Sequence, residues 1–179
     1  MRYICWVILL ACLSFSCEAL EKQPDQPVLP GAYFIDDYLP FLQSKRVGIC
    51  SNQSGLIGST HIVDSLISLG VNVVKVFSPE HGFRGKADAG EKVQKEFSED
   101  PFELISLYNK NRKPTPEQMK GIDIMIFDIQ DVGVRFFTYL STMTYLMEAC
   151  SEANVPLIIL DRPNPNGSYV DGPVMEDEN

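Results

Sequence analysis

Residues 78–85 carry the densest group of chemically reactive side chains in the sequence. A carboxylate at Glu80, an imidazole at His81 and a guanidinium at Arg84 stand in a loop that also contains two glycines. The apolar run Val71–Phe77 leads directly into this loop, and α/β proteins commonly present reactive groups where a strand ends. Partial burial would raise the pKa of the Glu80 carboxyl enough for it to donate a proton to a leaving oxygen near neutral pH. Glu80 is therefore a candidate general acid, and a plain polar turn is the alternative.

Polar residues also follow three other apolar runs. The runs are Val47–Cys50, Ile122–Phe127 and Leu157–Leu160, and the polar side chains after them are Asn52 and Gln53, then Asp128, Gln130, Asp131 and Arg135, then Asp161, Arg162 and Asn164. The carboxyl ends of parallel strands meet at one edge of a sheet, and ligands bind outside that edge. The sequence thus predicts that these side chains share one rim with the loop of Glu80.

Several of these residues also have a purely structural explanation. Carboxylates at strand ends often cap the next helix, and Asp131 is placed to do so. Asp161 and Arg162 could form an ion pair that holds the proline-rich loop in which they stand. Tyr139, at the start of an apolar helical segment, is of a kind that usually packs in a core.

Two amphipathic segments separate the apolar runs and predict the fold class. Ser59–Leu69 places Ile62, Leu66 and Leu69 on one helical face and ends at Gly70, and Tyr139–Ala153 places Leu140, Met143, Met147 and Cys150 on one face and ends at Asn154 and Pro156. Strands that alternate with helices form right-handed βαβ units. We therefore expect an α/β fold, with a mostly parallel, Rossmann-like sheet and helices on both of its faces.

Three other segments are less regular. Tyr33–Gln43 has apolar residues near helical spacing and predicts a short helix interrupted by Pro40. Thr115–Gln118 predicts a helix start, because threonine can cap, proline suits the first turn and glutamine at the third position can reach back. Phe102–Tyr108 fits either a strand or a helical turn.

The first 32 residues predict export rather than folded structure. Residues 1–16 combine a positive charge at Arg2 with a short apolar core, which is typical of a signal peptide and too short to span a membrane. Cys17 follows small residues at the end of that core, as does the lipidated cysteine of bacterial lipoproteins. Residues 17–32 predict a flexible tether, and residues 33–179 the folded domain. We expect an exported protein of the cell envelope, lipid-anchored to a membrane on its periplasmic or outer side.

Two alternatives to lipidation at Cys17 stay open. Leu9–Cys12 also has the shape of a lipidation motif, although cleavage there leaves a very short apolar segment. A plain secretory signal would attach no lipid at all.

Composition and motifs exclude several classes of partner and chemistry. Acidic residues outnumber basic ones by 24 to 15, and no basic stripe is present, so nucleic acid is not an expected partner. Nucleotide-binding glycine patterns, a G-x-S-x-G motif and a histidine pair with metal-ligand spacing are all absent from the sequence. Cys50 and Cys150 are interpreted as small buried hydrophobic residues. We expect no cofactor and no metal, although His81, Asp128 and Asp131 leave a metal-dependent hydrolase as an alternative.

Several short motifs follow one another in the order of a known family. They are Ser78–Gly85 with Ala89–Glu91, Ser106–Tyr108, Arg112–Thr115, Phe127–Phe136, Thr138–Tyr139 with Ser141–Met143, and Leu160–Pro165. Together, from about Val47 to Val174, they resemble the NamZ-type exo-β-N-acetylmuramidases, a bacterial family long catalogued as a domain of unknown function. The resemblance implies a Rossmann-like catalytic domain. It also implies a peptidoglycan-recycling glycosidase that removes N-acetylmuramic acid from the non-reducing end of glycan fragments.

The resemblance also implies roles for individual residues. Glu80 would be the catalytic acid/base and Tyr139 its partner, acting as nucleophile or orienting the sugar while the 2-acetamido group assists. The substrate-binding residues would be His81, Arg84, Asp128, Gln130, Arg135, Asp161, Arg162 and Asn164. A guanidinium can bind the lactyl carboxylate of muramic acid in bidentate fashion, and Arg135 is the first candidate for that role, with Arg162 the second.

The sequence departs from the family pattern at its end. Family members continue past the Asp171–Val174 motif into a second domain, whereas this sequence stops at Asn179. We therefore expect the N-terminal half of such an enzyme, through truncation or a split gene, with muropeptides or MurNAc-GlcNAc saccharides as substrates and little activity alone. The alternatives are a non-catalytic carbohydrate-binding surface lipoprotein and the metal-dependent hydrolase.

Overall fold

The computed structural model describes residues 28–79, Arg84 and residues 100–173. The predictions for the leader, most of the tether, Cys17, Glu80 and His81 lie outside those residues. No helix in the described ranges is long and apolar enough to cross a membrane.

Short elements alternate along the described chain. After a 3-10 turn at Gly31–Tyr33 they are α1 Ile35–Leu42, β1 Arg46–Ser51, β2 Leu56–Ile57, β3 Thr60–His61, α2 Ile62–Ser68, β4 Asn72–Ser78, β5 Glu103–Ser106, α3 Pro116–Met119, β6 Ile124–Asp128, α4 Tyr139–Ala153 and β7 Leu157–Ile159. The segment 102–108 therefore contains a strand, and the expected loop after β1 contains one arm of the small antiparallel β2–β3 hairpin.

Five strands form one parallel sheet in the order β5-β4-β1-β6-β7. The chain starts at the central strand β1, moves outward to β4 and β5, and then crosses to β6 and β7 on the other side. This is the strand order of the Rossmann type, in which the direction of winding reverses between the two central strands. The predicted α/β class with a parallel sheet is confirmed.

Both faces of the sheet are covered, because successive side chains of a buried strand point to opposite sides. On β6, Ile124 and Ile126 join a core cluster with residues of α1 and α2. Met125 and Phe127 join a second cluster with residues of α3 and α4. Cys50 and Cys150 are buried and unoxidised in this second cluster, as predicted.

The bounds of α4 match the prediction, but its buried face matches only in part, at Cys150 and Met143. The residues that it buries are Tyr139, Thr142, Leu146, Ala149 and Cys150, whereas the expected Leu140 and Met147 are 59% and 47% exposed. Both stripes have helical spacing, so periodicity alone could not choose between them. In α2, likewise, Leu69 is 50% exposed because the helix ends at Ser68, and Val63 is buried in its place.

Pro40 does not interrupt the first helix, contrary to the prediction. It lies inside α1 on the exposed side, where the bond lost with its missing N–H opens toward water. Leu42 is fully buried, and the Tyr38 hydroxyl donates to the Ala32 carbonyl at 2.9 Å. These contacts hold the helix in spite of its proline. The predicted capping box at Thr115 is present at the start of α3.

Candidate active site at the carboxyl edge of the sheet

Asp128 and Arg162 form a buried ion pair beneath the rim. Asp128 is the last residue of β6, and Arg162 follows the end of β7. Arg162 Nε donates to Asp128 Oδ1 at 2.5 Å, and its Nη2 donates to Oδ2 at 2.9 Å and to the Leu56 carbonyl at 3.1 Å. Asp128 is fully buried and Arg162 is 8% exposed. The pair therefore ties together β6, the loop after β7 and the small hairpin.

Burial dominates the electrostatics around this pair. Desolvation raises the pKa of the Asp128 carboxyl above its ordinary value, and the Arg162 guanidinium opposes part of that rise. Burial, followed by the nearby Asp128 carboxylate, raises the pKa of Tyr38 to about 12. Both oxygens of Asp128 are engaged, so this carboxylate supports the rim from below.

The loop after β1 is held by Asn52, which is 1% exposed. Its Oδ1 accepts from the N and Oγ of Ser54 at 2.9 and 2.6 Å. Its carbonyl accepts from the Gly55 N at 2.9 Å and lies 2.9 Å from His61 Nε2. Asn52 thus organises the loop internally, whereas Gln53 at its tip is exposed.

The chain's own side chains fill the crevice between the ends of β1 and β6, where parallel sheets of this order commonly bind ligands. Ser51 Oγ donates to the Asp128 carbonyl at 3.0 Å, and the Gln130 N donates to Ser54 Oγ at 3.0 Å. Gly55 packs so closely that a Cβ there would lie 2.1 Å from Ser51 Oγ. Open space on the described rim therefore lies to either side of this crevice.

Amide side chains join the loops that follow β6 and β7. Gln130 Nε2 donates to the Pro163 carbonyl at 2.7 Å, and Asn166 Nδ2 donates to the Val132 carbonyl at 2.8 Å. Asn164 Oδ1 accepts from the Asn166 N at 2.9 Å. The predicted rim residues Gln130 and Asn164 are thus brought together, and their side chains fix the shape of the two loops.

Asp131 closes a turn and does not cap a helix. Its Oδ1 accepts from the Gly133 N at 2.6 Å, and Gly133 has a φ of +68°. Helix α4 begins at Tyr139, eight residues after Asp131, with no side-chain cap. The predicted cap is wrong because the loop between Asp131 and α4 is too long for the carboxylate to reach the helix.

Asp161 and Arg135 have exposed side chains at the rim. Arg135 Nη1 donates to the Pro173 carbonyl at 3.2 Å. The ion pair considered between Asp161 and Arg162 forms instead between Arg162 and Asp128. A contact of Asp161 or Arg135 with a ligand stays a prediction.

Arg84 borders an open cleft on one side of the crevice. Its Nη1 and Nη2 donate to the two carboxylate oxygens of Asp64 on α2, each at 2.9 Å. This pair lines a cleft of about 380 Å³ together with Gln53, Thr60 and His61. The structure thus holds Arg84 against α2, on the side of the sheet that carries the first core cluster.

A second cleft, of about 210 Å³, lies between the end of β4 and the start of α4. The residues that line it include Pro79, Tyr108, Arg112, Thr138, Ser141 and Tyr145, and we call it the Tyr108 cleft. The Leu107 N donates to the Ser78 carbonyl at 2.7 Å, which fastens the Tyr108 loop beside the exit of β4. Pro79 directly precedes Glu80 in the chain.

Tyr139, the candidate partner of Glu80, is the first residue of α4 and is 8% exposed. Its ring meets that of Phe137 edge-on, with the centroids 5.6 Å apart. It also belongs to the second core cluster with Phe127 and Leu146. The phenol is thus part of the core, and a catalytic role for it stays a prediction.

Sequence reasoning did not select the polar residues of the Tyr108 cleft as site residues. Tyr108, Arg112 and Ser141 stand in the motifs that carried the family resemblance, and that was the signal available. Tyr145 had no such signal, because its position beside the cleft follows from the placement of α4. The cleft offers two aromatic rings, hydroxyl groups and a guanidinium, a combination that suits a sugar. Within residues 28–79, 84 and 100–173, no three His, Cys, Asp or Glu side chains are grouped to hold a metal.

A parallel sheet of Rossmann order with polar clefts at its carboxyl edge defines an α/β domain of the kind that commonly binds small polar ligands there. Residues 47–179 match the family described as "Exo-beta-N-acetylmuramidase NamZ, N-terminal", and the chain belongs to this family. The family predicted from the motifs is confirmed.

Individual relatives agree with this membership. The chain is 43% identical over 150 residues to "Peptidoglycan beta-N-acetylmuramidase NamZ" of Bacillus subtilis (strain 168), covering 80% of this chain and 36% of that protein. Crystal structures of two DUF1343 family proteins from Bacteroides fragilis NCTC 9343 are similar, each with a TM-score of 0.69. Their sequence identities are 44% and 41%, over 86% and 83% of this chain and 40% and 38% of theirs. The chain thus spans about two fifths or less of the length of these relatives.

Proposed function

We propose that this chain forms the N-terminal catalytic part of an exo-β-N-acetylmuramidase, a glycosidase that releases N-acetylmuramic acid from the non-reducing end of peptidoglycan fragments. The observation that carries the proposal is the position of Pro79, which lines the Tyr108 cleft and directly precedes Glu80. At about 210 Å³ the cleft is smaller than the roughly 300 to 1,000 Å³ of sites for drug-sized ligands, which suits a single sugar ring. The name of the Bacillus subtilis relative supports the same reaction.

In this proposal Glu80 acts as general acid and then as general base. Its carboxyl donates a proton to the glycosidic oxygen as the bond breaks, and the resulting carboxylate accepts a proton from the attacking water. Tyr139 is buried against Phe137 and is not among the residues that line the Tyr108 cleft, which disfavours a role as nucleophile. A nucleophilic phenol would have to turn out of the core into the cleft.

The other predicted site residues divide into two groups by their contacts. Those bonded to the chain itself are Asp128, Gln130, Arg162 and Asn164, and we propose that they set the shape of the rim. Arg84 and Arg135 also bond the chain, at Asp64 and at the Pro173 carbonyl, but they lie with Asp161 where a ligand can reach them. Together with His81 these are the proposed sugar contacts.

The test compares an aryl β-N-acetylmuramide with the matching β-N-acetylglucosaminide. We expect Glu80→Gln to lower kcat on the muramide by about 10²- to 10⁴-fold, the usual contribution of general acid–base catalysis. The exposed Glu117→Gln on α3 is the matched control and should keep its activity. Tyr139→Phe should lower kcat less than Glu80→Gln does if the phenol only positions the sugar. Full activity of the Glu80 variant would refute the mechanism. Sugar binding without hydrolysis by the wild type, even when it is joined to the remaining region of its relatives, would favour a carbohydrate-binding lipoprotein.

The share of the relatives that the chain spans decides how the assay is set up. Since the match covers 36% of the Bacillus subtilis relative, we propose that full turnover needs the remaining part as the second wall of the cleft. The wild type is therefore assayed alone and joined to that remaining region. We expect weak turnover by the chain alone and robust turnover by the joined form. Robust turnover by the chain alone would disprove the need for a second wall.

We also propose that the protein is exported and lipid-anchored through Cys17 in the cell envelope, where peptidoglycan fragments arise. The support is the sequence 1–16, with its short apolar core ending at small residues before the cysteine. Labelling of the cysteine with a fatty acid tests this proposal.

A further inference from the structure

We propose that Arg112 is the residue that binds the lactyl carboxylate of muramic acid, and that the Tyr108 cleft is the subsite for the muramoyl ring. This assignment rests on the proposed muramidase function and deepens it by naming the specificity-determining residue. Neither Arg135 nor Arg162, the two candidates from the sequence, lines this cleft.

The contacts of the arginines at the rim separate Arg112 from Arg162 and Arg84, while Arg135 is set apart by its position outside the cleft. Arg162 and Arg84 each place two guanidinium nitrogens on a carboxylate of the chain, Asp128 and Asp64 respectively. Arg112 makes a single hydrogen bond among the described residues, from Nε to the Asn109 carbonyl at 3.2 Å. Its two terminal nitrogens thus remain available for the bidentate contact that a carboxylate makes with a guanidinium.

The loop that carries Arg112 is held in place, so the guanidinium is positioned before a ligand arrives. Asn109 takes a left-handed conformation with a φ of +61°, and Asn111 Nδ2 donates to the Ser106 carbonyl at 2.7 Å. The adjacent Lys113 pairs with Glu148 and Glu152 on α4 at 3.1 and 2.7 Å. Lys113 thus anchors the loop to α4, and the preceding Arg112 lines the cleft.

The surroundings of Arg112 add to its preference for an anion. The first turn of the 15-residue helix α4 borders the cleft through Thr138 and Ser141, and no side chain caps it. Its unbonded N–H groups carry partial positive charge. Muramic acid differs from glucosamine by the lactyl ether, whose carboxylate is its single negative charge at neutral pH. A cleft of one-sugar size whose described lining holds a guanidinium and no carboxylate therefore selects the muramoyl sugar over the glucosaminyl sugar.

The experiment measures binding of N-acetylmuramic acid, its lactyl methyl ester and N-acetylglucosamine to the full chain by calorimetry or ligand-observed NMR. We expect the free acid to bind at least about tenfold more tightly than the other two sugars, since a hydrogen-bonded charge contact has about that effect. Arg112→Met should abolish this preference and leave the affinity for N-acetylglucosamine unchanged. Arg112→Lys should restore part of it. Lys110→Met, an exposed cation two residues away and outside the cleft, is the matched control.

The outcomes test the role of Arg112 separately from the proposed reaction. Equal binding of the three sugars by the wild type, or a preference that survives Arg112→Met but not Arg135→Met, overturns the role of Arg112. The muramidase proposal survives either result, because the Glu80 assay decides it independently. Absence of sugar binding by the wild-type chain at millimolar concentration overturns the cleft as a subsite.

Discussion

At the scale of single residues, the rim is supported by the ion pair between Asp128 and Arg162. The sequence suggested Asp161 as the partner of Arg162 instead. Arg162 stands next to Asp161 in the chain but bonds Asp128, 34 residues earlier. Residues adjacent in sequence were expected to pair. The fold instead brings Asp128 to Arg162, because β6 and β7 are adjacent and parallel. The proposed lactyl-binding role moves to Arg112 for two reasons: Arg162 already bonds Asp128, and neither Arg162 nor Arg135 lines the Tyr108 cleft.

The Asp128–Arg162 pair yields a stability prediction. Arg162→Met leaves the Asp128 carboxylate buried without its partner, and we expect a loss of about 3–5 kcal/mol in the free energy of unfolding. Asp128→Leu should also destabilise, because Arg162 then lacks an acceptor. The double variant should lose less than the sum of the two single variants. Chemical denaturation of all three variants measures this coupling.

The control for that cycle is a pair of similar geometry at the surface. Arg46 and Asp123 bond through the same guanidinium nitrogens at 3.0 and 2.8 Å, but both side chains are open to water. Arg46→Met should therefore have a much smaller effect, since solvent and salt screen an exposed pair. Equal losses for the two arginine variants would contradict a special role for the buried pair.

At the scale of elements, the sequence predicted the presence and type of helices and strands better than it predicted which of their faces is buried. The limits Tyr139–Ala153 and the capping box at Thr115 follow from local signals, an apolar period and short-range hydrogen bonds. The buried face of α4 does not follow from local signals, because two stripes of the helix have the same apolar period. Long-range packing against the sheet determines which of them is buried. The Tyr108 cleft was hidden for the same reason, since it exists only once α4 and the loop after β5 meet.

The first turn of helix α2 is capped by a histidine whose protonation state depends on pH. His61 Nδ1 accepts from the Val63 N at 3.3 Å, and Nε2 lies 2.9 Å from the Asn52 carbonyl, so the bonded form is the neutral ring with its proton on Nε2. Burial lowers the pKa of His61, and Arg84 adds to that effect. The hydrogen bond to Asn52 and the carboxylates of Asp64 and Asp128 oppose it.

The sign of the resulting pH dependence follows from this lowered pKa. The folded state binds the His61 proton less readily than the unfolded state, whose pKa is about 6.5. The contribution of His61 to the free energy of unfolding is therefore fully present above about pH 6.5. It is lost as the pH falls toward the lower folded pKa, with a slope of at most about 1.4 kcal/mol per pH unit. We expect His61→Asn, which can still cap α2, to flatten the unfolding free energy between pH 7 and 5.5. A wild-type slope in the His61 variant would contradict the assignment.

At the scale of the whole molecule, the proposed lipid anchor concerns where the protein works. The net charge is −9, the described residues contain no membrane-spanning helix, and the first 32 residues read as a leader and tether. A lipid on Cys17, joined to the domain by the proline-containing tether, would hold the clefts near the cell wall.

The anchor can be tested with two cysteine variants that differ only in position. Metabolic labelling with a fatty acid should mark the wild type and direct it to the membrane fraction. Cys17→Ala should lose both the label and the membrane association, because the thiol that accepts the lipid is gone. Cys12→Ala should keep both, since Leu9–Cys12 leaves too short an apolar segment for efficient cleavage. Loss of label in the Cys12 variant alone would move the anchor to Cys12. An unlabelled wild type recovered outside the cell membrane would establish a plain secretory signal instead.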